Sequence, residues 1–414
     1  MTGGRVPDIR DRSAAHVVVV ASALLVMAVG WWAKARCLGG GWADGEQFYG
    51  YCYSDVAPLW FQRGLDEGGG PYGAEPLEYP PVLAVRIWLA AVLAHVLPGE
   101  ATVLVFTATN GLFVVVEVLM ALALLRRLGL GPRRLLWWAA APPLLLYAFY
   151  NWDTLPVVLL LAALLLHQRG HHTASGVLAG LGAAAKIFPG FLVPLVVLAL
   201  LARRRPREAL LHGGAAVLAF VAVHVPAYVL APEGWNRFYE NSSGRAMHVD
   251  SLWYLLAQLG GPEVGRDVLG VLSLASFGCG AAVVVVLGAR RRPPEQWWQL
   301  LLPVLICFIL ANKVYSPQYT LWLVPLMALV LPRVAPFVAV MASDLLVHAV
   351  EFPFLAGRAG YGDGLPYPVM GVAVALRAAA LVWVAVEVVR RPTGSPPGRE
   401  PVPEVQGVAV QRDP

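Results

Sequence analysis

Residues 16–33 read HVVVVASALLVMAVGWWA, and residues 267–289 read DVLGVLSLASFGCGAAVVVVLGA. Each run is almost free of charge over about the length an α-helix needs to cross a bilayer, roughly 20 residues at 1.5 Å each. A third such run covers 208–230. A membrane barrel would instead show alternating segments of about ten residues. The rest of the chain agrees: of 414 residues, 58% are hydrophobic and 14% charged, with mean hydropathy +0.63. Soluble proteins carry roughly 25% charged residues, and surface-to-volume scaling leaves a soluble domain too much exterior to hide this much apolar side chain. A soluble cytoplasmic enzyme, a disordered chain and a fibrous chain are excluded. The expected fold is an all-α polytopic membrane protein.

The candidate spans are 16–35, 101–125, 135–150, 154–168, 174–186, 190–202, 208–230, 267–289, 297–311, 319–332, 334–352 and 368–389. The short ones are tolerable where neighbours or a wet cavity satisfy the backbone. Twelve spans that start inside return the C-terminus inside. With that topology, 20 of the 31 Lys and Arg residues fall on inner segments, as the positive-inside rule asks. The first basic residues, Arg5, Arg10 and Arg12, precede a run without a clear cleavage site, so the first run reads as a retained span. Making 81–97 a thirteenth span would put Arg126–Arg134 outside. It is therefore expected to lie at the outer surface or dip partway, with Arg86 near the headgroups. The divisions are a cytoplasmic segment 1–15, a transmembrane domain 16–389 whose first outer loop is 36–100, and a disordered, Pro-rich cytoplasmic tail 390–414. A net charge of +5 distributed this way is no sign of nucleic-acid binding. No internal repeat is evident.

Polar residues gather on the outer side. The long loop holds Asp55 within Tyr51-Cys52-Tyr53-Ser54-Asp55-Val56. Aromatic neighbours and a nearby bilayer would desolvate that carboxylate and raise its pKa, which suits a general base. Cys37 and Cys52 share the loop, where a disulfide can form; the sequence leaves this open. Lys186 and Lys313 fall at outer ends of spans. Lysine is costly in hydrocarbon, so each must snorkel or face an anion, and two beside one acidic loop make a phosphate cradle. Arg245 can clamp phosphate through its planar fork. Asp153 either caps the helix that begins at Thr154 or serves a second acidic site. Asp344, His348 and Glu351 share one helical face, and Arg377 is a candidate partner for one of them; Glu117 is expected to have a structural partner.

Four pieces in this order resemble the GT-C superfamily of membrane glycosyltransferases, and glycosyltransferase family 87 most: Ser54-Asp55, Glu78-Tyr79-Pro80-Pro81, Lys186-Ile187-Phe188-Pro189, and Asn312-Lys313-Val314-Tyr315-Ser316-Pro317-Gln318-Tyr319. The resemblance covers about 16–389. It implies a GT-C-type bundle, a polyprenyl-phosphate sugar donor (usually mannose) and inverting transfer to a lipid or glycan hydroxyl on the outer face. Asp55 would be the base, with Lys186, Lys313 and Arg245 on the donor phosphate. Glu78, Tyr79, Asn151, Asp153, His248, Tyr315 and Gln318 would contact substrates. No metal or other cofactor is expected, because lysines can neutralise the phosphate. One departure stands after Pro317, where glycolipid mannosyltransferases tend to carry a His pair and this chain has Gln318-Tyr319. The competing class, a secondary transporter or lipid flippase, would concentrate charge at the midplane of matched halves.

Overall fold

The computed structural model describes residues 9–39, 42–262 and 264–391, and among them all regular structure is helical. The first eight residues and the Pro-rich tail lie outside the described residues. Helix α1 (Ile9–Ala35) starts within the segment expected to precede the first span. The outer loop follows, with α2 (Glu46–Tyr49) and α3 (Val56–Gln62), and is closed by a Cys37–Cys52 disulfide whose Cα atoms are 6.2 Å apart. Next come α4 (Pro81–Val96) and α5 (Val103–Arg127). The expected span 135–150 is divided into α6 (Pro132–Ala139) and α7 (Pro142–Tyr147). Two adjacent prolines cause the break, since each lacks an N–H and crowds the preceding turn. Four more helices continue the bundle: α8 (Thr154–Gln168), α9 (His172–Ala183), α10 (Leu192–Ala202) and α11 (Pro206–Leu230). The short α12 (Pro232–Gly244) and α13 (Leu252–Gln258) occupy the second long polar segment. The chain ends with α14 (Arg266–Ala289), α15 (Leu301–Ala311), α16 (Thr320–Val330), α17 (Val334–Arg358) and α18 (Tyr367–Arg390).

Among the described residues, seven segments are long and apolar enough to cross a bilayer alone; α4, α8, Phe188–Ala202 and Pro317–Val330 are apolar but shorter. The protein is a multi-pass membrane protein. Its exterior shows this: Leu210, Leu218, Leu230, Val271 and Leu274 on α11 and α14 stand out from the bundle, an arrangement that is stable against hydrocarbon. Inside, α9 packs backbone-to-backbone on α11. A Cβ at Gly176 would lie 2.2 Å from the His212 carbonyl, and one at Gly180 would lie 2.1 Å from that of Ala216. Small residues four apart permit this approach.

The bundle has two chemically different poles. At one, the arginine-rich connections meet: Arg203 pairs with Glu295 at 2.9 Å, and Arg292 donates to the Val388 carbonyl at 2.6 Å. Arg134 lies over Trp137, which stacks on Phe337 at the start of α17. At the other pole the loop after α1 packs on α4 and α5 through Trp60, Leu65, Leu77 and Phe106. Gly234 of α12 packs against Tyr72 of the same loop.

Helix α4 keeps to that second pole. Thr109 donates to the Ala90 carbonyl, and His95 contacts the Leu65 carbonyl at 2.8 Å, so the helix follows only one half of α5. The expected headgroup position of Arg86 is wrong. Arg86 is buried against α5, pairs with Glu117 at 3.1 Å and also binds Asn110. The stripe of Pro81, Ala84, Ala90 and Ala94 is the face that packs, and it carries Arg86 inward with it. The partner expected for Glu117 is thus Arg86.

Candidate active site

Three connections at the second pole begin the site. Ser54 donates to the Phe149 carbonyl at 2.8 Å and accepts from the Val56 N–H, which starts α3. The Asp55 N–H donates to the Tyr150 carbonyl at 2.9 Å, pinning this loop to the α7–α8 connection. The Asp55 carboxylate then receives Tyr53 Oη at 2.8 Å on one oxygen and Asn151 Nδ2 at 2.7 Å on the other. Asn151 also reaches Tyr79 Oη at 3.2 Å and binds the Trp152 N–H through its own oxygen. Burial pushes the Asp55 carboxyl above its ordinary range. The two hydrogen bonds and the more distant Lys186 and Arg245 offset this only in part. Among the described residues no cation touches it, and each oxygen keeps a lone pair for another proton.

Lys186 follows the end of α9, where its N–H closes on the Gly182 carbonyl. Its ammonium lies 2.7 Å from Asp153 Oδ1 and 5.7 Å from the centre of the Trp322 ring. Trp322 donates to the same carboxylate oxygen at 2.6 Å. Lys313, in the α15–α16 connection, donates to the Ser243 carbonyl at 2.7 Å, and its own carbonyl receives the His248 N–H at 2.9 Å. Arg245 follows α12; it is exposed and makes no hydrogen bond or ion pair among the described residues.

These groups line one cavity of about 740 Å³. Its wall includes Asp55, Lys186, Lys313 and Arg245, and also Glu78, Tyr79, Asn151, His248 and Gln318. Two of the residues expected on substrate lie behind the wall. Asp153 is buried, and its Oδ1 is occupied by Lys186 and Trp322. It makes no helix cap either, so both expected roles give way to that of orienting the lysine. Tyr315 is buried beneath Arg377, whose guanidinium carbon is 3.6 Å from its ring centre. Glu78 reaches the cavity already paired with Arg63 at 2.7 Å; burial works against its charge, but this partner holds the carboxyl below its ordinary range.

A second polar group adjoins the cavity. His248 Nδ1 contacts Asp250, which also binds Arg377 at 2.9 Å. The partner of Arg377 is therefore a loop carboxylate. The expected pairing with Asp344, His348 or Glu351 does not form, because Asp250 sits above the α17–α18 seam where a buried guanidinium can reach both its side chain and its carbonyl. Burial opposes the His248 charge, but Asp250 overrides it and raises the imidazole's pKa. Asp250 is itself pushed up by burial and pulled further down by His248 and Arg377. Sequence reasoning noted Asp250 beside His248 in the same loop but missed Tyr53, Trp322 and Arg377 as members of this constellation. Tyr53, two residues before Asp55, and Asp250, two residues after His248, had a local signal.

The model of the glycosyltransferase family 87 matches residues 77–311. The chain belongs to glycosyltransferase family 87. The family expected from the four motifs is the one found. The matched stretch holds Asn151, Asp153, Lys186, Arg245 and His248, whereas Asp55 and Lys313 lie outside it. No match is found among curated proteins. Among solved structures, ArnT from Cupriavidus metallidurans bound to undecaprenyl phosphate aligns with a TM-score of 0.47 at 16% identity, over 90% of this chain and 76% of that one. Its apo state gives 0.44 at 15%, over 91% and 78%. The apo oligosaccharyltransferase of Archaeoglobus fulgidus gives 0.38 at 11%, over 90% and 55%.

Proposed function

We propose that this membrane glycosyltransferase moves a hexose, in the first instance mannose, from a polyprenyl-phosphate donor to a hydroxyl of a glycolipid or envelope glycan. The reading rests on one observation: a carboxylate without a cationic partner among the described residues and three cations, Lys186, Lys313 and Arg245, face the same cavity. The arginine-rich pole lies at the other end of the bundle, and the positive-inside rule assigns that pole to the cytosol, so the cavity opens outside. The ArnT structure, by its own description, holds undecaprenyl phosphate. A lipid-linked sugar phosphate suits a cavity that is polar on its cation side and bounded by Ile187 and Phe308.

In the proposed reaction the donor phosphate docks among the three cations. Asp55 takes the proton of the acceptor hydroxyl as the oxygen attacks the anomeric carbon. The bond from that carbon to the phosphate oxygen breaks on the opposite face, inverting the centre. The electron pair leaves on the phosphate, where Lys186 and Lys313 stabilise the growing charge. Asp153 and Trp322 hold Lys186 in place for this.

The test uses purified protein with polyprenyl-phosphate-mannose and extracted envelope glycolipids as acceptors. Asp55→Asn should lower turnover by about 10²–10⁴-fold, the usual worth of a positioned base. Wild-type turnover in Asp55→Asn would remove the base assignment, and transfer from nucleotide sugars alone would remove the lipid donor.

A further inference from the structure

Behind His248 lie three buried carboxylates, Asp250, Asp344 and Glu351, each at most 2% exposed. Asp250 has two partners able to carry positive charge: His248 Nδ1 contacts it, and Arg377 holds it at 2.9 Å through its side chain and again through its carbonyl. Asp344 has a neutral donor on one oxygen, Thr320 at 2.8 Å. Glu351 has one oxygen, Oε2, that is buried with no hydrogen-bond partner. A bare buried carboxylate oxygen is costlier than a paired one.

His248, Asp250 and Glu351 each present one ligand atom, and these three atoms lie within 4.8 Å of one another. Tetrahedral ligands at about 2.1 Å from an ion are roughly 3.4 Å apart, so small side-chain movements would close the set. We propose that His248, Asp250 and Glu351 bind a divalent first-row metal ion of the Zn²⁺ or Mn²⁺ kind. One imidazole and two carboxylates are the donor types such ions accept. A bound cation would give the bare Glu351 oxygen the partner it lacks. Arg377 becomes the outer partner that orients the Asp250 carboxylate, as ligating carboxylates require. Its stack on Tyr315, at 3.6 Å, keeps it there. Three protein ligands leave a position for water or an oxygen entering from the cavity, because His248 is on the cavity wall. The proposal departs from the expectation of a metal-free protein drawn from sequence, and it stands independently of the transfer reaction.

The measurement is metal content of the full-length protein, purified in detergent without chelator and analysed by elemental mass spectrometry. About one divalent ion per chain is expected. Glu351→Gln, which is isosteric and uncharged, should retain less than a tenth of that, and so should His248→Ala. Adding Zn²⁺ or Mn²⁺ to chelator-stripped protein should raise the melting temperature of wild type and leave both variants unmoved. If Glu351→Gln does not fold, His248→Ala carries the comparison, because its side chain is partly exposed on a loop. Stripped wild type that neither retains nor responds to either ion, or an equal response in wild type and His248→Ala, overturns the site. Neither result bears on transfer by Asp55, so the two readings fail separately.

Discussion

Two buried ion pairs lie on either side of Trp152. Arg86–Glu117 joins α4 to α5 at 3.1 Å, and Lys186–Asp153 joins the end of α9 to the start of α8 at 2.7 Å. The guanidinium of the first is used up: Glu117 takes Nε, Asn110 takes Nη1, and the ring of Phe113 lies 5.1 Å away. In the second, one carboxylate oxygen, Asp153 Oδ1, takes both Lys186 and Trp322, while Oδ2 is buried with no hydrogen-bond partner among the described residues. Asp153 is fully enclosed, whereas Lys186 spends one of its three donors and faces the cavity with the others. Similar chemistry thus does two jobs. A closed pair locks helices; a pair open on its cationic side holds a charge ready for an anion.

Each way of breaking one pair sharpens that contrast. The largest effect is expected at the closed pair. Arg86→Ala leaves Glu117 buried and uncompensated and should cost about 3–5 kcal/mol of stability. The check is thermal or denaturant unfolding in detergent, with Arg86→Met/Glu117→Leu recovering much of the loss; an Arg86→Ala protein as stable as wild type would refute the locking role. At the open pair, Lys186→Ala should lower kcat/KM for the donor by roughly 10–100-fold, the worth of one charge-assisted hydrogen bond of about 1.5–3 kcal/mol. Asp153→Asn should follow it in donor KM without altering the acceptor KM. A change confined to the acceptor would place the lysine on the wrong substrate.

The smallest effect concerns pH. Burial raises the Asp55 carboxyl, so the acid limb of kcat/KM should fall above the range of an ordinary aspartate and disappear in the residual activity of Asp55→Asn. Linkage has a definite sign here. With its folded pKa above the unfolded one, the native state binds more protons in the window between them. Wild type should therefore lose stability relative to Asp55→Asn as pH rises through that window. Parallel stability curves for the two proteins would contradict a raised pKa.

The legibility of this protein from sequence follows the same division. Asp55, Lys186 and Lys313 each interrupt apolar surroundings at the end of a helix, and the cost of charge near hydrocarbon makes such residues conspicuous one at a time. Arg86 was equally conspicuous and was misplaced, because snorkelling and burial against Glu117 look alike until the packing face of α4 is known. Asp153 and Tyr315 were recognised as polar residues at the right end of the bundle, yet both lie one side chain behind the cavity. Arg377 and Asp250 are 127 residues apart, and no local pattern announces such a pair.

The sequence alone determined that this chain crosses membranes, where its helices lie and which ends carry its unusual charges. Those properties follow from the free energy of moving single side chains out of water, which each residue brings with it. Only the tertiary structure decided which charges neutralise one another and which remain free to meet a ligand. That depends on distances of 3 Å between helices remote in the chain, and such distances are set by how whole faces pack.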